Sequence, residues 1–188
     1  MKLNLKALLL AVFLIISSTA NAMQPSQRQI FVMKTAYQIA QKDGQSDPTI
    51  LQGIVMVETK AGESMNSPNG SLGVSQILIG TAKYVLELFP DLSVEYFPKG
   101  FTKQELAKKL HNDDIFNLKV ASKYLLLLKE KYKLVGDRLI AAYNRGPNGD
   151  IHNPAKLKYV IDVKAYASSE LAKDSVTNLP KFTTTNSQ

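Results

Sequence analysis

Residues Asp47 to Ala61 read DPTILQGIVMVETKA. Asp47 is a favourable N-cap and Pro48 suits the first helical position, so the stretch is predicted to be a helix. Leu51, Ile54 and Val55 form an apolar stripe at helical spacing, widened by Ile50, Val57 and Ala61. The same stripe reaches Glu58, seven residues after Leu51, four after Ile54 and three after Val55. No basic residue lies within one turn before Glu58, and Lys60 points elsewhere on the helix. An acid placed there is open to two readings. It either reaches back to water from a helix end, or it sits partly buried, where lost hydration favours its neutral form. A carboxyl that stays protonated near neutral pH can act as a general acid.

Outward from this helix the chain keeps helical periodicity. Ile30, Met33, Tyr37 and Ala40 predict a helix from Ser26 to Lys42, stopped at Gly44. Glu63 to Gly73 (ESMNSPNGSLG) is a loop, with a small hairpin expected around Asn69-Gly70. Because it leaves from the Glu58 end of the helix, it is placed to line a cleft beside that carboxyl. Ala82, Val85, Leu86 and Phe89 predict a helix from Thr81 to Phe89, ended by Pro90, with residues 91–101 irregular. Thr102 and Glu105 make a capping box for a short helix to about Leu110. Asp113 or Asp114 caps the longest helix, to about Tyr132, whose Leu125–Leu128 run is apolar all round and therefore central. Gly136-Asp137 starts a short helix, Arg138–Tyr143 (RLIAAY), followed by the loop Asn144–Asn153 and a last helix from Asn153-Pro154 to about Leu171. Almost nothing alternates with period two. The fold class is mainly α: one domain of about six to seven helices, with at most a small β-hairpin near the cleft.

The first 22 residues read as a secretory leader, with Lys2 and Lys6, an apolar run Ala7–Ile16 and a small-x-small site at Ala20–Ala22. The run is too short to span a bilayer, which takes roughly 20 apolar residues. The expected organisation is therefore leader 1–22, domain 23–173 and a loose polar tail 174–188. Loss of the two leader lysines lowers the net charge from +7 to +5. That charge favours anionic polymers, but its lysines are scattered and no nucleic-acid-binding motif is present, so no nucleic-acid partner is expected. With no cysteine, disulfides and thiolate metal sites are excluded. His111 and His152 are far apart and outside any ligand-spaced cluster. Neither a metal nor a cofactor is expected, and there is no phosphate-cradling loop or Ser-His-Asp arrangement.

Three features stand in order: Val57-Glu58-Thr59; Gly70-Ser71-Leu72-Gly73-Val74-Ser75-Gln76-Ile77-Leu78 followed by Gly80-Thr81-Ala82; and Ala141-Ala142-Tyr143-Asn144-Arg145-Gly146-Pro147. Together they resemble the lysozyme-like lytic transglycosylases of the soluble-lytic (SLT) type, which are related to goose-type lysozyme. The resemblance covers about Thr49 to Tyr166 and implies a lysozyme-like fold acting on peptidoglycan strands. It matches Glu58 to the catalytic acid/base and Thr59 to a position usually Ser. It matches Gly73 and Gln76 to a GLMQ-like turn in the sugar-binding wall, and Tyr143 and Asn144 to an AYN motif beside the acid. Asn117, Tyr124 and Leu125 match a supporting helix, and Tyr159-Val160 a late YV pair. The chain departs from the pattern at Ser75 (usually Met), Leu78 (often Met), Ile79 (usually Pro) and Ala121 (commonly Gly), and its 91–112 segment is long.

The residue chemistry agrees with these roles. Gln76 can donate and accept, as sugar hydroxyls require, and Tyr143 offers a ring face as well as a hydroxyl. Most glycosidases use two carboxylates, yet no second acid here has a setting like that of Glu58. The family's reaction needs only one. The acid protonates the bond between N-acetylmuramic acid and N-acetylglucosamine, then acts as base while the muramoyl 6-hydroxyl closes a 1,6-anhydro ring. The alternatives are a hydrolytic muramidase on the same fold and a non-catalytic glycan-binding component of a secretion apparatus. A specialised transglycosylase serving a secretion or conjugation apparatus is a further option. Export to the periplasm, or secretion, is expected, with no stable membrane insertion once the leader is cleaved.

Overall fold

The computed structural model describes residues 24–67 and 69–177. The expected leader and residues 178–188 of the expected tail lie outside these. Helix α1, Gln27–Lys42, opens on a capping box: the Ser26 hydroxyl accepts from the Gln29 amide, and the Gln29 side chain accepts from the Ser26 amide. Helix α2 spans Thr49–Thr59. It begins slightly later than the Asp47-Pro48 pair suggests, yet the Asp47 carboxylate still meets the free Thr49 amide at 3.0 Å. It also ends before Ala61. Lys60 and Ala61 both adopt left-handed backbone, φ 51° and 53°. Their amides bond back to the Met56 and Val55 carbonyls, closing the helix in a Schellman-type end without glycine.

The hairpin exists, but not where Asn69-Gly70 points. Strands β1, Ser71–Leu72, and β2, Ile77–Leu78, pair antiparallel with Ser71 opposite Leu78 and Leu72 opposite Ile77. The turn is Gly73–Gln76, because Gly73 (φ 74°) and Gln76 (φ 51°) supply the left-handed corners. Helix α3, Ile79–Leu88, grows directly from β2.

Residues 91–101 are not irregular throughout. Pro90 ends one helix and starts another, α4 (Pro90–Tyr96), serving as its first residue ahead of Asp91. Tyr96 and Phe97 hold α4 in place by packing on Phe116, with ring centroids 4.7 and 5.6 Å away. The Thr102–Glu105 capping box forms as expected and opens α5, Lys103–Asn112.

Asp113 caps α6, Asp114–Glu130, by accepting from the Phe116 amide. This helix is the centre of the domain. Phe116, Leu118, Val120, Ala121, Leu125 and Leu128 are buried on its several faces, and α1, α3, α5 and α7 pack around it. Helix α7, Gly136–Arg145, starts at the expected Gly136-Asp137 pair and runs two residues past Tyr143. The expected last helix is divided. A 3₁₀ turn at Pro154–Lys156 precedes α8, Lys158–Ala167, and a break at Ser168-Ser169 precedes α9, Glu170–Thr177. The serine hydroxyls make the break: Ser168 bonds back to the Lys164 carbonyl, and Ser169 accepts from the Ala172 amide. Residues 174–177, expected to be loose, form the last turn of α9. Buried Gln52 holds them by donating to the Ser175 hydroxyl at 2.7 Å. The result is mainly helical, with nine α-helices among the described residues and one two-stranded sheet.

Candidate active site

Glu58 lies on the last turn of α2, half-buried. Its nearest polar partner comes from α8: the Tyr159 hydroxyl donates to Glu58 Oε1 at 2.7 Å. Gly53 makes this meeting possible. A Cβ there would stand 2.2 Å from the Val163 carbonyl oxygen, so only glycine lets α2 and α8 come this close. Burial raises the Glu58 carboxyl above its ordinary value of 4.5, while the Tyr159 hydrogen bond pulls it back. Burial, then the Glu58 charge, pushes the Tyr159 phenol well above its ordinary 10.0, so it remains a neutral donor.

Glu58 opens into a cleft of about 300 Å³, at the lower end of ligand-sized cavities. Gln76 and Ser71 of the hairpin form one wall, and Tyr143 and Asn144 of α7 form another. The three segments singled out in the sequence therefore converge on one cavity. Gln76 is already engaged: its Oε1 accepts from the Ser71 hydroxyl at 2.8 Å, and its Nε2 donates to the Gly73 carbonyl at 3.0 Å. One N–H and one lone pair remain for a ligand. Tyr143 is pinned at both ends. Its hydroxyl donates to the Ser75 carbonyl at 2.9 Å, and its ring leans on Tyr124 with centroids 5.5 Å apart. Burial pushes both phenols up, that of Tyr124 to about 12, so both stay neutral. Asn144 is exposed. Just beyond it Gly146 (φ 78°) stops α7 and turns the chain away.

Two expected ligand-contacting residues stand behind the wall instead of on it. Thr59 is buried; its hydroxyl donates to the Val74 carbonyl at 2.8 Å and accepts from the Gly62 amide at 2.9 Å. It ties the hairpin turn to the end of α2. Gly73 is likewise buried, where a Cβ would meet Asn117 Nδ2 at 2.2 Å and the Leu110 carbonyl at 2.3 Å. Their contribution is to fix where Gln76 stands relative to Glu58. Thr59→Val is expected to destabilise by about 2 kcal/mol, because it strands buried polar backbone, whereas Thr59→Ser stays within about 1 kcal/mol. Urea unfolding of the two variants checks this.

A larger depression, about 740 Å³, lies between α1 and the α5–α6 junction. Four of its charged groups already pair with one another, Arg28 with Asp114 at 3.1 Å and Lys109 with Asp113 at 2.7 Å. None of the three convergent segments reaches it, so the smaller cleft is the candidate site. Glu58 is the sole carboxyl among that cleft's described lining residues.

The family model of the Transglycosylase SLT domain matches residues 35–159. The chain belongs to this family. No curated protein and no solved structure matches it. Members of the SLT family act on peptidoglycan by lytic transglycosylation, and the matched span holds Glu58, the hairpin and the Tyr143-Asn144 corner, ending on Tyr159. In the sequence Tyr159 is visible only as half of the late YV pair, with no role attached. Its only local signal was an aromatic on the first turn of a helix, which is usually core. Ser71 lies inside the second motif segment but has no role of its own there, since its contact with Gln76 depends on a strand two residues long.

Proposed function

We propose that this SLT domain is a peptidoglycan lytic transglycosylase that works with a single acid, Glu58. The observation that carries the reading is the setting of that carboxyl: half-buried, held by Tyr159 at 2.7 Å, and facing a cleft walled by Gln76, Tyr143 and Asn144. Protonated Glu58 gives its proton to the glycosidic oxygen as the bond from C1 of N-acetylmuramic acid breaks. The muramoyl 6-hydroxyl then closes on C1 and returns its proton to the Glu58 carboxylate. No water is consumed, and the acid is restored for the next turn. The expected leader makes the place of action the periplasm or, after secretion, the outside of the cell.

Digestion of purified sacculi tests the reading. Mass spectrometry is expected to find 1,6-anhydromuramoyl ends, one water lighter than hydrolysed ends. Free reducing muramoyl ends would assign a hydrolytic muramidase instead. Retention on sacculi without soluble fragments would assign a binding component.

The rate is expected to fall as pH rises through the raised pKa of Glu58, because the first step needs the protonated form. Tyr159→Phe removes the hydrogen bond that favours the carboxylate. The Glu58 pKa then climbs further, and the alkaline limb of the pH–kcat/KM profile moves to higher pH. A limb that stays put, or moves lower, means another group is being titrated.

A further inference from the structure

The cleft does not end at Leu78. A second cavity of about 730 Å³ lies across that residue and shares Leu78 and Thr81 with the first. Leu78 is 50 % exposed and lines both spaces, so its apolar side chain is open to a ligand in either. Ile79 and Phe101 give the second cavity apolar lining, with Lys83 and Lys103 also on its wall and no acid among its described lining residues. Lys103 makes no ion pair among the described residues, and Lys83 has only a loose one, 3.8 Å from Glu87. The lining is firmly supported. Phe101 packs on Phe97 at 4.8 Å, and Phe97 in turn packs on core Phe116. Part of the wall thus comes from the long 91–112 segment.

We infer that this second cavity holds the acidic peptide branch of the glycan strand, and so makes the protein selective for muramoyl units that still carry their peptide. The inference rests on the proposed substrate. The chemistry is complementary: each N-acetylmuramic acid bears on its lactyl group a short peptide of small apolar residues and free carboxylates. A sugar seated beside Leu78 has this cavity as its neighbour. Methyl groups of the branch meet Leu78, Ile79 and Phe101, and carboxylates meet Lys83 and Lys103.

The test uses the mature chain and two ligands, the disaccharide carrying its acidic tripeptide and the same disaccharide without peptide. By calorimetry on a Glu58→Gln background, the peptide-bearing ligand is expected to bind about tenfold tighter, and K83E/K103E to abolish that preference. K83Q/K103Q, with no new charge to disturb α3 or α5, is expected to give an intermediate loss. With Glu58 intact, K83E/K103E is expected to cut turnover of sacculi about tenfold while leaving peptide-stripped glycan at the parent rate. No preference in the parent, or a preference that survives charge reversal, overturns the inference. If the parent cleaves neither substrate, the transglycosylase reading fails, and the calorimetry still decides the peptide site.

Discussion

Glu58→Gln is expected to lower turnover of sacculi by at least about a thousandfold, in the upper range for loss of a general acid. Gln has the same shape, and its carbonyl oxygen can still accept from the Tyr159 hydroxyl, so the cleft keeps its geometry and only the transferable proton is lost. Among the described residues no other carboxyl lines the cleft. Glu63 is exposed and accepts from the Ser26 hydroxyl, and Asp114 is paired with Arg28. Stability should move the other way. The native pKa of Glu58 lies above its ordinary 4.5, chiefly through burial. The wild-type protein therefore has its full share of stability below 4.5, where the group is neutral folded or unfolded, and loses some as pH rises through the native value. Gln suffers no such loss. Near neutral pH the variant is expected to melt at the same temperature as the parent or higher, with any gain shrinking as pH falls toward 4.5. A dead but destabilised variant would mean that the residue holds the fold together, and near-parental turnover would remove Glu58 from the chemistry.

Asn117→Asp carries the largest expected cost in stability. Asn117 is fully buried on α6 and uses its whole hydrogen-bonding capacity. Its Oδ1 accepts from the Ser75 amide at 2.9 Å and the Ser75 hydroxyl at 2.5 Å, and its Nδ2 donates to the Leu72 and Leu110 carbonyls at 2.8 and 3.1 Å. One amide thus fastens both sides of the hairpin turn and the end of α5 to the central helix. Asp is nearly the same size and keeps the acceptor. It replaces the donor with an oxygen facing two carbonyl oxygens, and it must either bury a charge or take up a proton. We expect a loss of about 3 to 5 kcal/mol and a fall in Tm of roughly 10 °C or more. Calorimetric melting measures it, with exposed Asn148→Asp as the control, expected within about 0.5 kcal/mol of the parent. A small shift at position 117 would mean that the hairpin is held by something other than this side chain.

Helical periodicity and caps made most of the architecture readable, because each signal is local. Ser26 and Thr102 start their helices through side chains that bond to backbone only three residues on. Errors arose where a distant partner decides the outcome. Pro90 looked like a stop because Phe116, which stabilises the helix after it, is 26 positions away in the sequence. Asn69-Gly70 looked like the hairpin corner because the pattern is strong, whereas the turn that forms is anchored by Asn117 from a different helix. Asp174–Thr177 looked loose because the polar grip on Ser175 comes from Gln52. The site divides in the same way. Glu58, Gln76, Tyr143 and Asn144 were legible from motif order, and all four line the cleft. Tyr159 was not, since its hydroxyl meets Glu58 across 101 positions of chain.

The abrupt close of α2 after Thr59 has an electrostatic consequence for the residue just before it. The aligned peptide dipoles leave the negative pole of the helix at that end, so a carboxylate at position 58 faces a potential of its own sign. Burial and that potential both favour the uncharged carboxyl. Had the helix run on past Gly62, Glu58 would have lain more than a turn from the pole, where the effect fades. The left-handed pair Lys60-Ala61 thus sets the negative pole of α2 beside Glu58, in addition to turning the chain toward the hairpin.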